Sequence, residues 1–246
     1  MLYATVFKLV AHCASTLPPN TGVLAHAAFM EMVRQVDPDL SAHFHDANQR
    51  KPYTVSPLMG HGALPGDPVR LGAGQEVWFR VTLLDSELFQ VLAAHLLEEG
   101  VSLTVRLKDA SFSVVEAHTT PGSHPRAGYA SPDELLEEWM KAADLPDTVT
   151  LRFLTPTAFQ FGKWPNGQKR SVLVPDPQLI WKGLRRQWSQ AGGFDPGQVH
   201  NEWIAESVGL IAHSVRTQLL PFGRYAQVGF DGWAAFRAVC TSAREL

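Results

Sequence analysis

Residues 43–51 hold two histidines and two cations close together: His43, His45, Arg50 and Lys51. Histidine gains and loses a proton near neutral pH, so it can act as general acid or general base. Lysine and arginine carry a fixed positive charge that steadies negative charge as it develops. Side by side, these types suit acid–base chemistry on a group that becomes anionic. A third imidazole, His26, precedes them. Taken alone, the same residues also suit ordinary structure. His43 and His45 flank Phe44 as a surface turn would allow. His26 shares a helical face with Phe29, Met30 and Val33, where a hydrogen-bonded core histidine is equally at home.

Other chemistries find little support. The Gly72–Ala73–Gly74 run precedes a strand rather than a helix, so it is not a dinucleotide loop. No Walker sequence, GxSxG, HExxH or paired CxxC occurs. His43 and His45 lack an evident third ligand, and His12 and Cys13, adjacent in an extended segment, would point to opposite faces. No metal or cofactor is expected. Two cysteines, Cys13 and Cys240, make no disulfide framework. No apolar run reaches the roughly 18 residues of a membrane helix. The amino terminus lacks the early positive charge and cleavage site of a signal peptide, so a cytoplasmic location is expected.

The elements that position these residues follow from periodicity. Residues 2–10 read as a strand, and residues 22–36 as a helix with Val23, Ala27, Met30, Val33 and Val36 at helical spacing. Asp37–Pro38 ends it. Residues 53–59 are extended, with Pro57 marking an edge or a strand end. A Gly/Pro-rich loop covers 60–74. Residues 76–84 alternate as a strand, Ser86 caps a helix over 87–98, and 101–107 and 111–120 are strand-like. The acidic run 131–147 reads as a solvated helix. The pattern then starts again, with a strand at 148–156, a helix at 178–190 and strands over 207–220 and 226–239. Two βαββ openings predict an α+β protein of tandem ferredoxin-like, RRM-related domains, 1–145 and 146–246.

Charge is split between the two halves of this 246-residue chain. Residues 1–150 hold 10 Lys and Arg against 18 Asp and Glu, and residues 151–246 hold 11 against 6. In the second half Lys163, Lys169 and Arg170 flank a Pro-Asn-Gly turn. Lys182, Arg185 and Arg186 fall on one helix, and Arg216 and Arg224 lie farther on. Such clustering suits a polyanionic partner, with Trp164 and Tyr225 placed to stack on a base.

Several segments in this order carry a resemblance: HFHDANQRKPYTVSPLMG, EVWFRVTLLD, FLTPTAFQFG with PDPQLIWKGLRRQW, and QVGFDGWAAFRA. Together they resemble the CRISPR-associated endoribonucleases of the sixth Cas family, within the RAMP superfamily. The resemblance spans nearly the whole chain and implies the tandem ferredoxin-like fold. It implies cleavage of precursor CRISPR RNA within its repeats, without metal, leaving 5′-hydroxyl and 2′,3′-cyclic phosphate ends. In the family a histidine after the first helix often acts with a lysine just before the next strand. That implies His45 as general acid or base, Lys51 as phosphate stabiliser and His26 as the second proton-transfer group. The cations of the second half become the RNA-binding set. CRISPR repeat RNA is the implied partner, with a second copy of the chain and CRISPR effector-complex proteins as further ones. The chain ends at Leu246, so the last helix and strand of the second domain and the family's glycine-rich loop are expected to be missing. A non-catalytic RNA-binding or scaffolding member of the superfamily is the alternative.

Overall fold

The computed structural model describes residues 1–39, 41, 51–64, 66–84, 86–96, 103–142, 146–167, 169–192, 201–222 and 225–239. The chain divides into two compact units, Met1–Leu135 and Leu136–Leu246. That division falls inside a helix, ten residues before the boundary expected from sequence.

The first unit is built on β1 (Leu2–Ala11), α1 (Gly22–Val36), β3 (Tyr53–Val55), β5 (Glu76–Leu83), α2 (Ser86–Leu96) and the hairpin β6 (Thr104–Leu107) and β7 (Ala110–His118). Its sheet runs β3-β5-β1-β7-β6, antiparallel at every pairing. Chain order β1-α1-β3-β5-α2-β7 with spatial order β3-β5-β1-β7 is the ferredoxin-like arrangement. The alternation of β5 produces it directly. Val77, Phe79, Val81 and Leu83 are buried, while Trp78 and Arg80 face the other way. Across the pair, Phe7 meets Phe79 with ring centroids 5.4 Å apart. α1 lays Ala25, Ala28, Phe29, Met32 and Val33 into this core. Burying Phe29 alone contributes about 1.5–3 kcal/mol, and Phe29→Ala would cost about 3–5 kcal/mol.

Three short strands of this unit escape the sequence reading. β2 (Ser15–Leu17) and β4 (Val69–Leu71) form a small ribbon of their own. β8 (Gly128–Ala130) pairs with Leu2–Ala4 of β1, just beyond where β7 stops pairing with it at Val6. Residues 119–127 therefore leave the sheet edge and return to it. Strands of three residues are too short to show a period of two. The acidic segment does fold as a helix, α3 (Pro132–Lys141). Its start is a capping box. Glu134 N–H donates to Ser131 Oγ, and Ser131 N–H donates to the Glu134 carboxylate.

Thr21 starts α1 in an unusual way. Its side chain makes no cap within the helix. Its hydroxyl instead accepts from the backbone N–H of Leu58 at 3.0 Å, with Thr21 and Leu58 both buried. The start of α1 is thus tied to the chain just past β3.

The second unit contains β9 (Thr148–Thr157), the hairpin β10 (Phe159–Lys163) and β11 (Lys169–Val172), α4 (Pro177–Gln190), a short helix α5 (Asn201–Ser207), β12 (Val208–Phe222) and β13 (Tyr225–Ala238). Its described sheet runs β12-β13-β9, antiparallel throughout. That is the order of the first three strands of a ferredoxin-like unit. Ile180, Ala234 and Phe236 form its core, with Leu151, Phe153, Trp181 and Leu210 packed around them. Asp176 caps α4 by accepting from Leu179 N–H at 2.9 Å, and Pro177 suits the first helical position. Gly232 is required where β13 lies close against β12, opposite Val215. Its φ is +127°, and a Cβ there would lie 2.1 Å from the Ser214 carbonyl oxygen.

Candidate active site

α1 and β3 are brought together by the split βαβ arrangement, and the chemistry-bearing residues collect at that junction. His26 sits on the margin of the α1 core face, half-buried, while Phe29, Met30 and Val33 on the same face are buried. Its Nε2 lies 3.1 Å from the hydroxyl of Tyr53, the first residue of β3. The two ring planes are inclined at 27°, with centroids 5.8 Å apart. Tyr53 is 6% exposed, and its hydroxyl donates to Met30 Sδ at 3.1 Å. Burial pushes the Tyr53 phenol up, so it keeps its proton at neutral pH. Lys51, two residues before Tyr53, is exposed, and its Nζ lies 5.9 Å from the Tyr53 ring centroid. The fold therefore gathers His26 and Lys51 around one aromatic ring. His43, His45 and Arg50 lie outside the described residues.

The cations expected in the second half occupy two elements. Lys163 ends β10 and Lys169 begins β11, and the two are register partners across the hairpin. Trp164 opens the turn between them and is 52% exposed. Arg170 places its guanidinium 4.5 Å from the Trp164 ring centroid, within the range of a cation–π contact. Lys182, Arg185 and Arg186 share one face of α4 at spacings of three and four. Lys182 Nζ donates to Gln178 Oε1, and Arg186 Nε donates to the Lys182 carbonyl. Arg216 has a different setting. Its Nε donates to Asp231 Oδ1 at 2.8 Å, and Gln218 binds the same carboxylate. This pairing holds the Arg216 guanidinium further up its already high range and offsets its charge locally. Arg224 lies outside the described residues.

One cluster was not singled out from sequence. On the face of the first unit's sheet opposite α1, Trp78 receives Arg126 at 5.8 Å from its ring centroid and the edge of His124 at 5.1 Å. Both come from the 119–127 excursion. Arg80 Nε donates to the Arg126 carbonyl at 2.8 Å. Burial, then the charges of His118 and Arg126, pushes His124 below its usual range. Nearby, Lys8 bridges Glu76 and Glu116 at 3.0 and 3.4 Å. The signal for this face was the β5 alternation, which turns Trp78 and Arg80 away from the core. Among the described residues no group of three or more His, Cys, Asp or Glu is arranged to hold a metal ion. Among them also, no helix is long and apolar enough to cross a membrane.

Comparison with known proteins bears on the family and the fold. The CRISPR Cas6 N-terminal domain matches residues 1–137, and the CRISPR-associated endoribonuclease Cas6 family matches residues 151–246. No curated protein matches the sequence. Among solved structures, the Cas6 product complex of TTHB231 superposes with a TM-score of 0.75 at 29% identity. The match covers 98% of this chain and 87% of that one. Thermus thermophilus Cas6 (TTHB231) gives 0.68 at 27% identity, covering 98% and 85%. The Cas6 product complex of TTHA0078 gives 0.66 at 23% identity, covering 98% and 86%, a likeness of fold. With the family matched across both units and the fold shared along their length, the chain belongs to the Cas6 family of CRISPR-associated endoribonucleases.

Proposed function

We propose that this protein cuts precursor CRISPR RNA within its repeats by metal-independent transesterification. The ribose 2′-oxygen attacks the adjacent phosphorus, the P–O5′ bond breaks, and a 2′,3′-cyclic phosphate and a 5′-hydroxyl remain. A base must take the 2′-hydroxyl proton, and an acid must return one to the departing 5′-oxygen. His45 and His26 fill these two roles. Lys51 steadies the added negative charge on the five-coordinate phosphorus. The observation that supports this reading is the meeting of His26 and Lys51 on the Tyr53 ring, in a chain of this family.

RNA is held by the β10–β11 hairpin, with Lys163, Lys169 and Arg170, and by the α4 face with Lys182, Arg185 and Arg186. Trp164 offers a stacking surface for an unpaired base. Arg224 joins this set. Arg216 contributes less, because Asp231 already accepts from it. A second copy of the chain and CRISPR effector-complex proteins are the further partners proposed.

The test is cleavage of the host's own repeat RNA in excess chelator, with analysis of the product ends. One cut position with a cyclic phosphate end is expected from the wild type. The double variant His45→Ala/Lys51→Ala should bind the RNA and leave it whole. Cleavage by that variant at the wild-type rate would refute the assigned roles. Salt-sensitive binding without any cut by the wild-type chain would favour a non-catalytic RNA-binding or scaffolding protein.

A further inference from the structure

We infer that Tyr53 is a positioning residue for His26: its oxygen accepts from His26 Nε2–H while its hydroxyl hydrogen is given to Met30 Sδ, which fixes the tautomer and directs proton exchange to Nδ1. This rests on the reading of His26 as a proton-transfer group.

The geometry carries it. The Tyr53 oxygen lies 3.1 Å from His26 Nε2 and 3.1 Å from Met30 Sδ. A phenol has one hydrogen to give and lone pairs to receive with. When Nε2 bears a proton, it donates to the phenol oxygen, and the hydroxyl hydrogen points at the thioether. A neutral imidazole keeps one N–H, so with Nε2–H held by the phenol oxygen it is Nδ1 that gains and loses the proton. The phenol oxygen accepts from Nε2–H in both states, and no heavy atom need move between them. A backbone N–H in this place could only donate, and would favour the other tautomer.

The support is rigid. Tyr53 is held in the sheet opposite Leu83 of β5, and Phe29 packs against its ring at 5.2 Å. Met30 is one turn along α1 from His26 and 5% exposed. Because burial raises the phenol, the hydroxyl keeps its hydrogen and goes on donating it to Met30 Sδ.

The test compares wild type, Tyr53→Phe, Met30→Leu and His26→Ala in cleavage of the repeat RNA, with kcat and KM separated. Nitrogen-15 spectra of the histidine side chains accompany it. Tyr53→Phe keeps the ring and should lower kcat about tenfold, the worth of one hydrogen bond to a charged group, with KM unchanged. It should also move the His26 Nε2 resonance. Met30→Leu keeps the volume and should lower kcat by a smaller factor, roughly twofold to fivefold, since a thioether accepts weakly. A wild-type kcat in Tyr53→Phe beside a slow His26→Ala would overturn the positioning role. So would a His26 Nε2 resonance unmoved in Tyr53→Phe. A wild-type kcat in His26→Ala would instead overturn the catalytic reading beneath it.

Discussion

Replacing Lys51 by methionine separates charge from scaffold. The side chain is exposed, and its contact with the Tyr53 ring is at 5.9 Å, the outer edge of the cation–π range. Losing that contact costs at most about 1 kcal/mol of stability, or a fall in Tm of about 2–4 °C for a protein of this size. The effect on cleavage should be larger. A unit charge about 4 Å from a unit of developing negative charge is worth about 1 kcal/mol in water and about 4 kcal/mol at an effective dielectric constant near 20. Those limits correspond to roughly fivefold and a thousandfold in rate. A partly solvated lysine beside a half-buried histidine falls between them, so a loss of about tenfold to a hundredfold is expected. The assay is single-turnover cleavage at saturating protein, with RNA affinity and Tm measured on the same preparation. Affinity should fall by no more than the loss of one phosphate contact, and Lys51→Arg should recover part of the rate. A Lys51→Met rate within twofold of wild type would refute the argument. A collapse in Tm of more than about 10 °C would refute it too, by showing that Lys51 supports the fold.

Three further outcomes follow from the same physical reasoning. If six cations of the β10–β11 hairpin and α4 each meet a phosphate, the logarithm of the RNA affinity should fall against the logarithm of salt with a slope of about −4 to −5. Changing Arg185 and Arg186 to glutamine should reduce that slope by about 1.5; an unaltered slope would place the RNA elsewhere. Gly232→Ala must disturb the native β12–β13 pairing, because its new carbon would overlap the Ser214 carbonyl at 2.1 Å. Wild-type Tm in that variant would contradict the geometry. Finally, the hydrogen bond from Lys8 holds the Glu116 carboxyl below its usual range. A lowered carboxylate contributes stability above its ordinary pKa and loses it as pH falls through the folded value. Thermal melts between about pH 6 and pH 3 should therefore show a smaller acid loss in Glu116→Gln than in wild type; equal losses would exclude this pair.

Sequence reading reached the fold through local patterns. The alternation Glu76–Leu83 specified a strand and its two faces. The spacing of Val23, Ala27, Met30, Val33 and Val36 specified the helix α1 but misplaced its buried side, since Ala25, Ala28, Phe29 and Met32 are buried beside Met30 and Val33 while Val23 and Ala27 are exposed. Lys51 was picked out through the family resemblance, by its place before an extended segment. The partner it shares with His26 was not. Tyr53 is 27 residues from His26, and nothing local to either residue signals a bond made only when β3 takes its place at the sheet edge. The Thr21–Leu58 bond escaped for the same reason, at a separation of 37 residues. Among the cations, sequence proximity served well on α4, where helical spacing sets the neighbours. It served poorly for Arg216, whose charge is met by Asp231 from the facing strand. The 119–127 excursion hid most. The sequence reading ran the strand to residue 120 and gave the following residues no element, so nothing showed that the chain returns to the same strand edge and lays His124 and Arg126 on Trp78.

The bond from Leu58 to Thr21 and the bond between His26 and Tyr53 join α1 to the β3 segment at two points, one on each side of a helical turn. A single tether would let the helix swivel about it. Two tethers fix both its roll and its advance along the sheet, so the imidazole keeps its bearing on Lys51 while the rest of α1 breathes. The pair should therefore open as one event. The Leu58 amide, held by Thr21 Oγ1, and the Ala25 amide, held by the Thr21 carbonyl, should exchange with solvent at a common rate, and Thr21→Val should release the first of them.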